Sequence, residues 1–201
     1  MGRVEQSAIH ALRVGSRGWR GAYERVERSV GLVMLLGSAH QAAGGLLCSV
    51  LHAHRLSTLC VDDEGAGPMR AQALAALEWL RDVGAGRPVG VFGAGACAGE
   101  ALGVAASRPA QVAALVLLNL PAQRLDGTLP PLRAATLLVV GDRDAAQVAA
   151  QRRALPLIGG PRRLEVMPGC AVDAAGTAAC AAVAHLAADW FGRYLGAAPL
   201  H

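Results

Sequence analysis

The sequence predicts an α/β fold, with a mainly parallel central sheet and helices on both faces. Three observations carry that prediction. Short runs of Val and Leu alternate with longer stretches of helical period along most of the chain, which is the pattern of successive βαβ units. The apolar runs are continuous rather than alternating, as strands covered on both faces require. The composition is 53% hydrophobic but only 3% aromatic over 201 residues, so Ala, Val and Leu must build the core, and small-residue helices suit such a sheet.

The elements follow in order. Residues 1–28 are expected to supply one or two antiparallel edge strands. Residues 30–36 (VGLVMLL) form the first buried strand, which stops at Gly37-Ser38. A helix over 41–54 and a strand over 56–61 (LSTLCV) come next, and Asp62-Asp63-Glu64 ends that strand. Pro68 opens a helix in which Leu74, Leu77, Leu80 and Val83 recur at helical spacing, closed by Gly84. A third strand spans 89–92, followed by an Ala-rich helix over 97–107 that must end before Pro109. Strands at 112–118 and 136–140, a helix near 145–154 and a strand at 163–167 continue the alternation. The last helix, over 176–195, carries Val183, Leu186, Trp190 and Tyr194 on one face. With no linker, repeat or low-complexity tail, residues 1–201 are expected to form a single domain.

Charge and cysteine usage narrow the function. All 19 basic residues are Arg, which reads as the coding bias of a high-GC, bacterial genome rather than as a nucleic-acid code. The net charge is +4, and no segment gathers it into a stripe with interleaved aromatics, so nucleic-acid binding has no support. Cys48, Cys60, Cys97, Cys170 and Cys180 show no CxxC spacing and no clustering with His, the expectation being reduced thiols in a cytoplasmic protein. The N-terminus lacks the apolar core of a signal peptide. The stretch 29–54 is weakly charged, but GSAHQAAGG interrupts it, leaving each apolar piece too short to span a bilayer. No metal and no cofactor is implied.

In an open parallel sheet, ligands sit beyond the carboxyl ends of the strands. The informative residues are therefore those just after each strand, and three stretches stand out. PVGVFGAGACAGEALGVAASRP (88–109) is a strand, a glycine-rich turn and a small-residue helix, the form of a nucleophile elbow. TLLVVGDRDAAQV (136–148) is a strand followed by G-x-x-D, and RRLEVMPGCAVD (162–173) a strand followed by P-G-x-x. In this order and spacing the three resemble the dienelactone-hydrolase-like branch of the α/β-hydrolases. The nearest likeness is to the small type found alone or fused to phosphoribosyltransferase domains, and it runs from about Gly31 to Leu195.

The resemblance implies a nucleophile, a base and an acid acting as a unit. Carried over without gaps, the elbow reads Gly93-Ala94-Gly95-Ala96-Cys97, which puts Gly95 at the nucleophile position. Asp144 takes the acid position, Val172 takes the His position, and Leu36-Gly37 replaces the His-Gly common after the first main strand. Glycine has no atom to attack a carbonyl and valine cannot move a proton, so only the acid survives. In a second frame, Gly95-Ala96-Cys97-Ala98-Gly99 is G-x-C-x-G with Cys97 as nucleophile, the residue dienelactone hydrolases use there. This frame needs two more residues between strand and helix. His40, in the loop after the first main strand, is the one histidine placed to serve Cys97. A Cys97–Cys170 disulfide, or a Cys97–Cys170–His40 metal site, is conceivable, but nothing in the spacing demands either.

Each candidate also has a plainer role. Asp144 suits an N-cap of the 145–154 helix, Cys97 a small buried helix residue, and His40 a polar loop residue. His185 is expected to belong to the last helix and its packing, and His52 and His54 to precede a strand start on the far edge. Two function classes follow. One is a degenerate hydrolase that binds a small apolar or ester-like ligand, or a protein partner, in a pocket walled by Gly37, Gly93 and Cys170. The other is an active Cys97-dependent esterase or lactonase.

Overall fold

The computed structural model describes residues 9–14, 19–37, 42–62, 67–125, 132–168 and 177–196. Its strands are β1 (Ile9–Val14), β2 (Trp19–Glu24), β3 (Gly31–Leu36), β4 (Leu56–Val61), β5 (Val89–Ala94), β6 (Val112–Leu118), β7 (Ala135–Gly141) and β8 (Arg162–Met167). The helices are α1 (Ala42–Ala53), α2 (Met69–Val83), α3 (Ala96–Ser107), α4 (Ala145–Ala154) and α5 (Thr177–Leu195), with short 3₁₀ turns at Ala122–Arg124 and Leu155–Leu157. The strands form one sheet in the order β1-β2-β4-β3-β5-β6-β7-β8. From β4 through β8 every neighbouring pair is parallel, while β1 and β2 are the antiparallel edge expected of residues 1–28.

The core lies in two layers, one on each face of the sheet. On one face Leu32, Met34, Leu36 and Leu59 meet Leu77 and Leu80 of α2 and the alanines of α3. On the other, Val33, Leu35, Phe92 and Val116 meet Leu51 of α1 and Phe191 of α5. All six residues of β3 are buried, which explains why its sequence is apolar without alternation. Trp190 of α5 donates its indole N–H to the Ala135 carbonyl at 3.0 Å, satisfying the one polar atom that so large a side chain brings inside.

Three local expectations are corrected. The third strand runs to Ala94, not Phe92, because Gly93 and Ala94 pair with Leu117 and Leu118 of β6; ladder bonding overrides weak strand propensity. In α2 the buried stripe is Ala73, Ala76, Leu77 and Leu80, while Leu74 is only partly buried and Val83 is 42% exposed. The alanines let the helix lie close to the sheet, turning the apolar face away from 74 and 83. Gly84 closes α2 without a left-handed backbone, at φ −79°. It is needed for space instead, since a Cβ there would stand 2.5 Å from Leu32 Cδ1.

The same demand for space recurs beneath α5. A Cβ on Gly31 would lie 2.6 Å from Leu195 Cβ, and one on Gly90 2.5 Å from the Phe191 ring. Among the described residues no helix is long and apolar enough to cross a membrane. Gly90→Ala should therefore destabilise the protein by about 1–3 kcal/mol through overpacking. Gly45→Ala is the opposite case. Gly45 is exposed within α1 with nothing within 4 Å of its missing Cβ, so alanine should stabilise by about 0.5–1 kcal/mol. Urea unfolding midpoints of the two variants against the parent check both signs.

Candidate functional site

The residues that leave the sheet at its carboxyl edge are pinned by their own backbone. Gly37 N–H donates to Val61 O at 2.9 Å, Gly95 to Leu118 O at 2.9 Å, Asn119 to Val139 O at 2.7 Å and Asp142 to Met167 O at 3.2 Å. Each loop therefore starts from a fixed point one residue past its strand. Together they mark the carboxyl edge over β3, β5, β6 and β7, the crevice in which open parallel sheets take their ligands.

The turn from β5 into α3 has Gly95 at its apex, with φ +54° and ψ −122°. That backbone region is strained for any residue with a side chain. A Cβ at Gly95 would nonetheless meet nothing within 4 Å, so its direction is open. Gly93, two residues earlier, is closed: a Cβ there would sit 2.5 Å from Cys97 O and 2.9 Å from Ala98 Cα. The helix rests almost directly on the strand, and the turn has no slack.

Cys97 is the second residue of α3 and partly buried. Its sulfur packs against Gly37, where an added Cβ would stand 2.6 Å from Sγ. Gly37 is left-handed at φ +70°. Gly37, Gly93, Gly95 and Cys97 are thus brought together by β3, β5 and the start of α3. His40, Cys170 and Val172 lie outside the described residues.

Asp144 is exposed and stands at the N-cap of α4, where its carboxylate accepts from Gln147 N–H at 2.9 Å. Asn119 is buried in a left-handed backbone at φ +52°. Its side-chain oxygen accepts from Gly141 N–H at 3.2 Å, tying the end of β6 to the turn that carries Asp144. Asp62 is buried at the end of β4. His52 bonds Thr58 Oγ1 at 2.9 Å, and His185 is exposed on α5. Among the described residues there is no cluster of three or more His, Cys, Asp or Glu that could hold a metal ion.

Sequence reasoning missed the surface beside the elbow helix. Glu100 of α3 pairs with Arg70 and with Arg124, each at 3.0 Å. The Arg70 guanidinium lies on Gly103 and the Arg124 side chain on Gly99, forming a groove of about 420 Å³ on the outer side of α3. The usable signal was the spacing of Gly99, Glu100 and Gly103 along one helix, which leaves room for long side chains from neighbouring elements.

No family model matches the chain. It is 38% identical over 104 residues to the "Putative phosphoribosyl transferase" of Mycobacterium tuberculosis, an alignment that covers 52% of this chain and 24% of that protein. The chain thus matches about a quarter of that relative's length. Among solved structures it is similar to a dienelactone hydrolase from Anabaena variabilis, with TM-score 0.84 and 27% identity over 95% of this chain and 100% of that one. An α/β serine hydrolase without a lid from Xanthomonas campestris has TM-score 0.72 at 20% identity, covering 97% of this chain and 98% of that one. A cold-adapted esterase from an Arctic intertidal metagenomic library has TM-score 0.71 at 20% identity, covering 93% and 92%.

Two sets of substitutions test how the crevice is held. Asp144→Ala should cost about 1 kcal/mol through loss of the cap, with Asp144→Asn nearly neutral. Gly37→Ala and Gly95→Ala each impose a left-handed backbone on alanine, at about 1–2 kcal/mol. Only Gly37→Ala also strikes the Cys97 sulfur, so adding Cys97→Ala should recover part of its loss and nothing of the Gly95→Ala loss. Chemical denaturation of the single and double variants reads the coupling directly.

Proposed function

We propose that this chain, an α/β-hydrolase-fold protein with dienelactone hydrolase among its structural relatives, has given up ester hydrolysis and acts by binding. The observation that carries the reading is the apex of the β5–α3 turn, where the strained, outward-facing position is a glycine. An acyl-transfer site needs an attacking atom there, and a base to take its proton. In the frame adopted, the apex is Gly95 and the base position is Val172. Asp144, the remaining acid position, is occupied as a helix cap. What is left is a crevice of small and apolar groups suited to a small apolar or ester-like ligand, or to a segment of a protein partner. We propose further that residues 1–201 act as one domain in the bacterial cytoplasm.

A second reading has one observation in its favour. Cys97, the second residue of α3, sets its sulfur against Gly37, so a thiol stands beside the turn although not at its apex. In that reading Cys97, with His40 as base and Asp144 as acid, forms an esterase or lactonase, and Gly37 and Cys170 line the ligand; Gly93, expected there too, is covered by α3 instead.

One experiment separates the two. Under the binding reading, hydrolysis of p-nitrophenyl acetate by the parent equals that of Cys97→Ala. A rate that disappears in Cys97→Ala overturns the reading in favour of the thiol enzyme. The Gly95→Ser/Val172→His double variant should then gain weak esterase activity that neither single variant shows, because nucleophile and base act as a unit worth on the order of 10⁴-fold or more in kcat.

A further inference from the structure

On the opposite face of the sheet from α3, α1 and β4 bring four polar side chains into register. Cys48 and His52 stand four residues apart on α1, about 6 Å along a helix axis. Thr58 and Cys60 stand two apart on β4, roughly 6.7 Å along a strand. The two spacings match, and the residues meet in pairs. Cys48 Sγ lies 3.6 Å from Cys60 Sγ, and His52 Nε2 lies 2.9 Å from Thr58 Oγ1. The Thr58 hydroxyl lies near enough to Cys48 to favour its thiolate, and Glu24 of β2 lies 3.6 Å from His52 Nδ1. A continuous polar chain thus runs from Glu24 through His52 and Thr58 to the two sulfurs, inside an otherwise apolar layer.

From this juxtaposition we propose that Cys48 and Cys60 are a modification site, converted by a peroxide-class oxidant into an intramolecular disulfide that staples α1 to β4. The sulfurs already touch at 3.6 Å, and side-chain rotation toward the disulfide length of about 2 Å closes the remaining gap. The S–H···S hydrogen bond can run either way, and whichever sulfur accepts it has its thiolate stabilised while the donor holds its proton more tightly. Burial keeps His52 below the usual imidazole value, so at neutral pH it is an uncharged neighbour of Thr58. Either thiol can be the first to react, with the same outcome; take Cys48. Its sulfur attacks one peroxide oxygen and the O–O bond breaks; the departing hydroxide takes the Cys48 proton as water and leaves a sulfenic acid. Cys60 sulfur then attacks Cys48 sulfur, the S–O bond breaks, and the departing hydroxide leaves as water with the Cys60 proton. Two thiols and one peroxide give one disulfide and two waters, the protein losing two electrons and two protons. Cys48 and Cys60 are buried, at 7% and 6% exposure, so the proposed oxidant is the smallest of its class, hydrogen peroxide. The inference is independent of any chemistry at Gly95 or Cys97.

The test is peroxide treatment of the full chain, followed by blocking of free thiols in denaturant and peptide mapping under non-reducing conditions. The expected result is a Cys48–Cys60 peptide pair lighter by two hydrogen atoms, reversed by dithiothreitol. The melting temperature should rise by on the order of 5–10 °C, and Cys60→Ala and Cys48→Ser should each abolish that rise. Either variant alone suffices if the other folds poorly. The proposal is overturned if both thiols remain blockable after oxidation, if either gains only oxygen, or if the bridge maps to another pair of cysteines.

Discussion

The closeness of α3 to β5 is the constraint on which the rest of the structure depends. At Gly93 there is no room for even a methyl group between strand and helix. The chain can go from β5 into α3 only through a sharp turn, and that turn forces Gly95 into a left-handed conformation. Because α3 lies so low, the residues that meet Gly93 are small: Ala98 and Ala101 each stand 2.9 Å from its Cβ position. Past the end of β3, Gly37 must be bare as well, so that the first turn of α3 can lodge the Cys97 sulfur against it. A geometry that presents one residue outward at the centre of the sheet is thus enforced by packing, whatever that residue is able to do.

The other seams of the molecule follow the same logic with different partners. Gly84 yields to Leu32, Gly90 to Phe191 and Gly31 to Leu195, so the few large side chains are matched to positions with none. This is how a chain with 3% aromatic residues reaches a dense interior. On the outside of α3, Gly99 and Gly103 receive arginine side chains instead of core residues. Those arginines are about half exposed, and their pairing with Glu100 shapes a groove more than it stabilises the fold.

The strand centres were legible because each buried strand is a continuous apolar run, and 56–61 and 112–118 match residue for residue. Ends were less legible where glycine and alanine carry little propensity and pairing with a neighbour decides, as at Gly93 and Ala94. The α2 stripe was misplaced because leucines draw the eye, whereas Ala73 and Ala76 share the buried face with Leu77 and Leu80. At the crevice, residue order indicated which side chains follow which strands, but not that Cys97 would face Gly37 or that Asp144 would turn back to its own helix. The Cys48–Cys60 contact had no signature at all in linear spacing. It arises only when a helix step of four is laid over a strand step of two.

The seam between α5 and the first parallel strand bears on how the chain is made. Gly31 and Gly90 await Leu195 and Phe191, so the layer over β3 and β5 is closed by residues more than 150 positions downstream of Gly31. During synthesis, the strands at the centre of the sheet emerge long before the helix that shields them. Contacts so distant in sequence form slowly, and the half-covered sheet is meanwhile the species most exposed to sticking. A ribosome-bound chain stopped short of α5 would present Val33, Leu35 and Phe92 to solvent, a surface that a chaperone holding the nascent chain would need to cover until the final helix arrives.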